Sequence, residues 1–192
     1  MIVRRIDEQG IGMFVGISGV KVNGEIDPEI LLKKVREIAS SHGVIVQLFD
    51  SDMVAGWLHV LHSTLNALYG FKSKRAISKR KEVEILLYLS GDRRIDRAIK
   101  NFGLKRKCRF GFVVISDDVE SILLFRKDIL RVLDALEDDG ILELDDTKVS
   151  ALKEFFNIDE CELESFMASG RDLKEALRDA IIERTSLLTI EA

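Results

Sequence analysis

The stretch DPEILLKKVREIASSHGVIVQLF, residues 27–49, holds a helix and a strand back to back. Asp27 can accept an N–H bond, and Pro28 suits the first position of a helix. Ile30, Leu31, Val35 and Ile38 then recur as one apolar stripe. Gly43 is the predicted stop, because glycine takes the left-handed conformation that ends a helix at little cost. Val44 to Phe49 follows as a short buried strand.

Working outward from there, the same signals recur. Upstream, Ile11 to Val22 reads as a strand, with Ile11, Met13, Val15 and Ile17 alternating. Downstream, Asp50 or Asp52 is predicted to cap a long helix carrying Trp57, Leu58, Leu61, Leu65 and Leu68, closed by Gly70. Ser78 is the predicted cap of the next helix, with Val83, Leu86 and Leu87 on it, and Ser90-Gly91 breaks it. Asp92 is predicted to cap a third, with Ile95, Ile99 and Phe102 facing inward and Gly103 as its end. Cys108 to Ser116 is a strand, and Asp117 or Asp118 starts a helix to about Leu136. Asp159 with Glu162 opens a short helix, and a last one spans about Asp172 to Leu187. The strands are scattered among helix pairs without regular βαβ alternation. The expectation is an α+β fold: a small mixed, largely antiparallel sheet packed against several helices. One domain over residues 1–192 is expected, with a helical C-terminal part from about 145 to 192.

With 46% hydrophobic residues in 192, the chain can bury a proper core. Cys108 and Cys161 form no C-x-x-C pair and are expected to be reduced and buried. MIVRRIDEQG lacks the apolar run of a signal peptide, and no segment approaches the ~20 apolar residues of a membrane span. The expected location is cytoplasmic, without a membrane partner.

Net charge is −4, yet residues 72–109 hold fourteen Lys/Arg against Glu82, Glu84, Asp92 and Asp96, a local net of +10. The remainder is then −14. Such asymmetry is what an electrostatic docking face requires. Lys72, Lys74, Arg75, Lys79, Arg80, Arg93 and Arg94 are the candidate RNA contacts, gathered around predicted helix starts at Ser78 and Asp92. If Ser78 is the cap, Lys79, Arg80 and Lys81 occupy the first turn, at the positive end of a helix dipole, an arrangement suited to phosphate. Ile77, apolar within this loop, is either a hydrophobic staple for the following helix or a platform for an unstacked base.

Catalytic and metal chemistry find little support. Gly10, Gly12 and Gly16 lie in a strand pattern with no helix directly after, which rules against a dinucleotide loop. Asp50, Asp52, His59 and His62 are the one acid–histidine cluster, but a structural histidine is the better reading. No catalytic residue, metal site or cofactor is assigned.

Residues 42–68 and 77–104 resemble the kinase-binding subunit family of the KEOPS (EKC) complex. The motifs are Gln47 with Asp50, Val54-Ala55-Gly56 before His59, Glu84 to Tyr88, and Ser90-Gly91 with Arg93, Ile95, Ala98 and Ile99. Glu183 to Leu188, ERTSLL, resembles the family's closing motif. His62-Ser63 and Arg94 depart from its commoner residues. The resemblance implies a non-catalytic subunit acting in threonylcarbamoyl-adenosine modification of tRNA. It implies binding to the N-terminal lobe of a small atypical kinase, and through that kinase to a transferase subunit. It also implies capture of the single-stranded CCA end of tRNA, with Ile77 and Ser78 joining the cations above. A regulator that only binds protein is the alternative. Leu187, Leu188 and Ile190 are the candidate kinase contacts; all three could equally be core, and core is the expected position of Leu187.

Overall fold

The computed structural model describes residues 1–7 and 10–189. One sheet is built from β1 (Ile2–Ile6), β2 (Met13–Lys21), β3 (Ile45–Phe49), β4 (Arg109–Ser116) and the short β5 (Leu136–Glu137). Its order is β1-β2-β4-β3, with β5 also beside β2. All of these pairings are antiparallel. The helices are α1 (Pro28–His42), α2 (Gly56–Lys72), α3 (Lys81–Ser90), α4 (Ile95–Phe102), α5 (Val119–Leu133), α6 (Asp146–Phe156), α7 (Glu160–Met167) and α8 (Leu173–Ser186). This is the expected α+β architecture. No described helix is long and apolar enough to cross a membrane.

The sheet separates two cores, and β4 shows why. Successive side chains of a strand point to opposite faces. Phe110, Phe112 and Val114 enter the core under α1 and α5, while Val113 and Ile115 enter the other. Gly111 lets the Phe49 ring cross β4 closely, since a Cβ there would lie 2.1 Å from Cε2 of that ring. The second core draws residues from α2, α3, α4, α6, α7 and α8, including Val60, Ile85, Phe102, Leu152, Leu163 and Leu177.

Several predicted boundaries are found. Asp27 accepts from the N–H groups of Glu29 and Ile30, and Gly43 sits at φ 65°. Asp118 caps α5, and Gly91 ends α3 at φ 61°. Others differ. Asp50 caps a single turn of 3-10 helix at Ser51–Met53, and Asp52 is not a cap, so α2 starts only at Gly56. There the His59 Nδ1 accepts the Ala55 N–H at 3.2 Å, and no side chain caps the first N–H groups of the helix. Gly70 does not close α2, which runs on to Lys72. Its missing Cβ marks the crossing with α3, 3.7 Å from Glu84 Oε1 and from the Tyr88 hydroxyl. On α1 the buried stripe is Leu31, Val35 and Ala39, and Ile30 is 60% exposed. On α4 the inner face is Ala98 and Phe102, leaving Ile95 and Ile99 outside. The α5 helix stops at Leu133, where Asp134 turns left-handed and Leu136 joins the sheet. Asp159 accepts from the Glu162 N–H, but the reciprocal capping box belongs to Asp172 and Glu175 of α8. Both cysteines are exposed rather than buried. Cys108 precedes the last paired position of β4, and on α7 the buried position is Leu163.

Candidate nucleic-acid interface

The seven predicted cations are all exposed. Lys72 closes α2, Lys74, Arg75, Lys79 and Arg80 occupy the loop to α3, and Arg93 and Arg94 lie between α3 and α4. The two groups therefore stand at opposite ends of α3, whose ten residues span about 15 Å. They do not converge on one point.

The loop before α3 has a specific anchor. Glu84, fully buried, accepts the N–H of Ile77 at 3.0 Å and of Ser78 at 2.6 Å through its two oxygens. The Ser78 hydroxyl accepts the Arg80 N–H at 3.1 Å. Ser78 thus caps a turn and not α3: the chain bends through residues 77–80, and the N-cap residue is Arg80, at φ −122° and ψ 127°. Lys79 and Arg80 consequently lie outside the helix, and of the three predicted for its first turn only Lys81 is there, beside Glu82 and Glu84, whose charge the dipole favours. Asp92 likewise accepts the Arg94 N–H, and α4 begins after Arg94. Ser78 is buried, so its side chain is not a surface contact. Ile77 is partly buried against the core. Lys74 adopts φ 60°, left-handed, where the loop leaves α2.

Among the described residues, Lys74, Arg75 and Lys79 form no ion pair. Arg80 meets Glu82, and Arg94 and Arg97 both meet Asp92, all on the surface. Such exposed pairs contribute little and compete weakly with a phosphate.

The far end of the basic segment is organised differently. Lys107 Nζ lies 2.8 Å from both Asp50 Oδ2 and Asp52 Oδ2, and Asp50 is only 4% exposed. Arg109 sits 2.8 Å from Asp52 Oδ1, close enough for an ion pair but not aligned for a hydrogen bond. Burial pushes the Lys107 ammonium down, but hydrogen bonds to Asp50 and Asp52 outweigh it, so its pKa rests above the ordinary value. Arg106 pairs with Asp27.

The acid–histidine cluster does not assemble into a site. His59 is fully buried and His62 is exposed. Burial lowers the His59 pKa to about 3, offset in part by the Leu89 carbonyl. With Nδ1 accepting from Ala55, the neutral ring carries its proton on Nε2, directed to no partner at hydrogen-bonding geometry. No metal-ligand cluster occurs among the described residues.

Of the predicted kinase contacts, Leu187 is 47% exposed, Leu188 is 3% exposed and Ile190 lies outside the described residues. The core position expected for Leu187 is taken by Leu188, which is closed to a partner, while Leu187 is open to one.

Residues 24–189 match the family model described as kinase binding protein CGI-121. The chain belongs to the CGI-121 family. The regulatory protein Cgi121 of Methanocaldococcus jannaschii is 33% identical over 143 residues, 74% of this chain and 82% of that protein. The match takes in α1 through α8, and so both the loop anchored by Glu84 and the Asp50–Lys107 network of this CGI-121 member. Glu84, which anchors this loop, is absent from the predicted site residues. Besides its place in the Glu84–Tyr88 motif, the signal for it was an acid in the apolar run VEILLYL, at a position where a buried carboxylate must find donors.

Proposed function

We propose that this protein is a non-catalytic accessory subunit of a KEOPS complex, which binds the complex's small kinase and recruits tRNA by its single-stranded CCA end. Through the kinase it joins the transferase subunit that modifies the tRNA. The observation that carries the RNA part is the loop at residues 73–80. Its backbone is pinned by a buried carboxylate, while Lys74, Arg75 and Lys79 stay unpaired on the surface among the described residues. A surface that only had to stay soluble would not need a fixed frame for free cations. Family membership supports the kinase part, and Leu187 offers it an exposed apolar contact. His59, neutral and buried, has no access to a substrate, which supports a role without turnover.

The test measures two affinities separately. The purified chain should retain its cognate kinase in a pull-down, and Leu187→Asp should weaken that retention. It should also bind intact tRNA more tightly than tRNA trimmed of CCA, with affinity falling as salt rises. Equal binding of intact and trimmed tRNA removes the CCA reading. Kinase retention without any tRNA binding leaves a regulator that acts on protein alone.

A further inference from the structure

β1 is one edge of the sheet, and among the described residues no strand pairs with its outer side. Which of its backbone groups face outward follows from β2. The Gly19 N–H donates to Asp139 and the Gly19 carbonyl accepts the Asp138 N–H, so Gly19 faces the side of β2 that β5 and β1 share. The Val22 N–H turns the other way, to the Cys108 carbonyl beside β4. Backbone groups alternate in direction along a strand, so Ile17, Val15 and Met13 face β1 as Gly19 does β5. Their partners Ile2, Arg4 and Ile6 carry the bonds to β2. Val3 and Arg5 therefore direct their N–H and carbonyl groups outward.

The side chains at this edge are cationic. Arg4 and Arg5 are exposed and, as neighbours in a strand, lie on opposite faces of the sheet. Arg4 sits 5.3 Å from the Trp57 ring centroid and Arg5 5.7 Å from that of Phe14. Laid on those rings, they leave the edge open except at the Val3 carbonyl, which accepts from Arg4 at 3.1 Å. Arg5 also meets Asp7 in an exposed pair that contributes little.

We propose that this edge binds an extended acidic peptide as an added strand, with two consecutive carboxylates set against Arg4 and Arg5. The main-chain groups of Val3 and Arg5 supply the affinity, and the two arginines select the partner. Side chains directly opposite across a strand pair lie close enough to form ion pairs, here one on each face. Charge and backbone chemistry decide against the other occupants. A second copy of this chain, joined so that Val3 and Arg5 both pair, would set Arg4 directly against its own counterpart, and like charges there repel. A polyanion without an amide backbone would satisfy the arginines but not the hydrogen-bonding groups of the edge.

The probe is a short peptide of alternating valine and threonine with two adjacent glutamates at its centre, titrated into the full chain. Amide exchange at Val3 and Arg5, fast in the free protein, should slow on binding, while Arg4 and Ile6 are protected with or without peptide. Arg4→Glu and Arg5→Glu should each weaken binding about fivefold, and a peptide carrying two lysines instead should bind the double variant. Val3→Pro removes one outward N–H and no bond to β2. It should stay folded by thermal melting and lose about fivefold in affinity. A peptide with a methylated backbone tests the same bonds if Val3→Pro does not fold. Equal binding of methylated and unmethylated peptide would mean attraction by charge alone and overturns the added strand. So does absence of binding at about 1 mM peptide. Slowed exchange at Val3 and Arg5 that grows with protein concentration, without peptide, overturns it in favour of a dimer.

Discussion

The two ends of the basic segment carry the same kind of residue and use it in opposite ways. At residues 105–109, Arg106, Lys107 and Arg109 are matched to Asp27, Asp50 and Asp52, and Lys107 holds a carboxylate that is almost wholly buried. At residues 73–80 the buried carboxylate is Glu84, and it binds backbone N–H groups instead of cations. One carboxylate neutralises the charge beside it, and the other fixes the frame that presents charge to solvent. A local net of +10 therefore overstates the field available to a partner. What matters is which cations are already matched.

The largest expected effect tests the structural end. Lys107→Ala strands Asp50, which also donates its N–H to the Phe102 carbonyl at the end of α4. Removing one partner of a buried pair is costly. Lys107 is itself 38% exposed, so solvent should soften the loss to ~2–3 kcal/mol. Thermal melting should show a drop of about 5–10 °C. A melting point unchanged by the substitution would show that Asp50 is already satisfied by water and would erase the contrast.

Glu84→Ala comes next, at about 2 kcal/mol, because two backbone donors lose a buried acceptor. The damage should be local, with faster hydrogen exchange at Ile77 and Ser78 than in β4. Glu84→Gln is the sharper probe. It keeps one acceptor oxygen and turns a second donor toward an N–H, so one bond is lost without removing any surface cation. Weaker tRNA binding by this variant would show that the frame, and not only the charge, is used. Full affinity would reduce Glu84 to a packing residue.

His59 supplies an effect set by pH. Its folded pKa of about 3 lies below the unfolded value near 6.5. Protons then bind the unfolded chain better, so its contribution is complete above pH 6.5 and is lost as pH falls toward 3. Stability should decline by up to ~1.4 kcal/mol per pH unit in that window. Urea titrations at several pH values should show this slope diminished in His59→Gln.

Much of the fold was legible because it depends on local chemistry. Asp27, Asp118, Gly43 and Gly91 announce helix ends through residues next to them in the chain. The two-sided burial of β4 is written in its unbroken apolar run. The family was legible too, from motifs around His59, Glu84 and Gly91. The candidate site was less so. Ser78 is the right residue type for a cap, but Glu84 reaches back six residues to its N–H and diverts it. Lys107 meets Asp50 across 57 residues, a pairing that no spacing rule reveals. Ile95 and Ile99 follow helical periodicity but fall on the outer edge of the α4 apolar face. The left-handed turn at Lys74 carries no glycine to signal it.

The smallest effect on stability should accompany the cleanest loss of binding. Lys79 and Arg80 lie in the bent chain before α3, and Arg80 has only an exposed contact with Glu82. Changing both to Glu should alter stability by no more than ~0.5 kcal/mol, the usual range for surface positions. It removes no buried partner and leaves the backbone bonds to Glu84 in place. If each cation meets one phosphate of a single strand, each contributes about −0.7 to the slope of log affinity against log salt. The double variant should flatten that slope by ~1.4, and its tRNA affinity should drop most at low salt. Lys107→Ala, where it remains folded, should leave the slope unchanged, because that cation is already matched by Asp50 and Asp52. Equal slopes for the double variant and the parent, or a flattened slope for Lys107→Ala, would mean that the two ends do not differ in the way their ion pairs indicate.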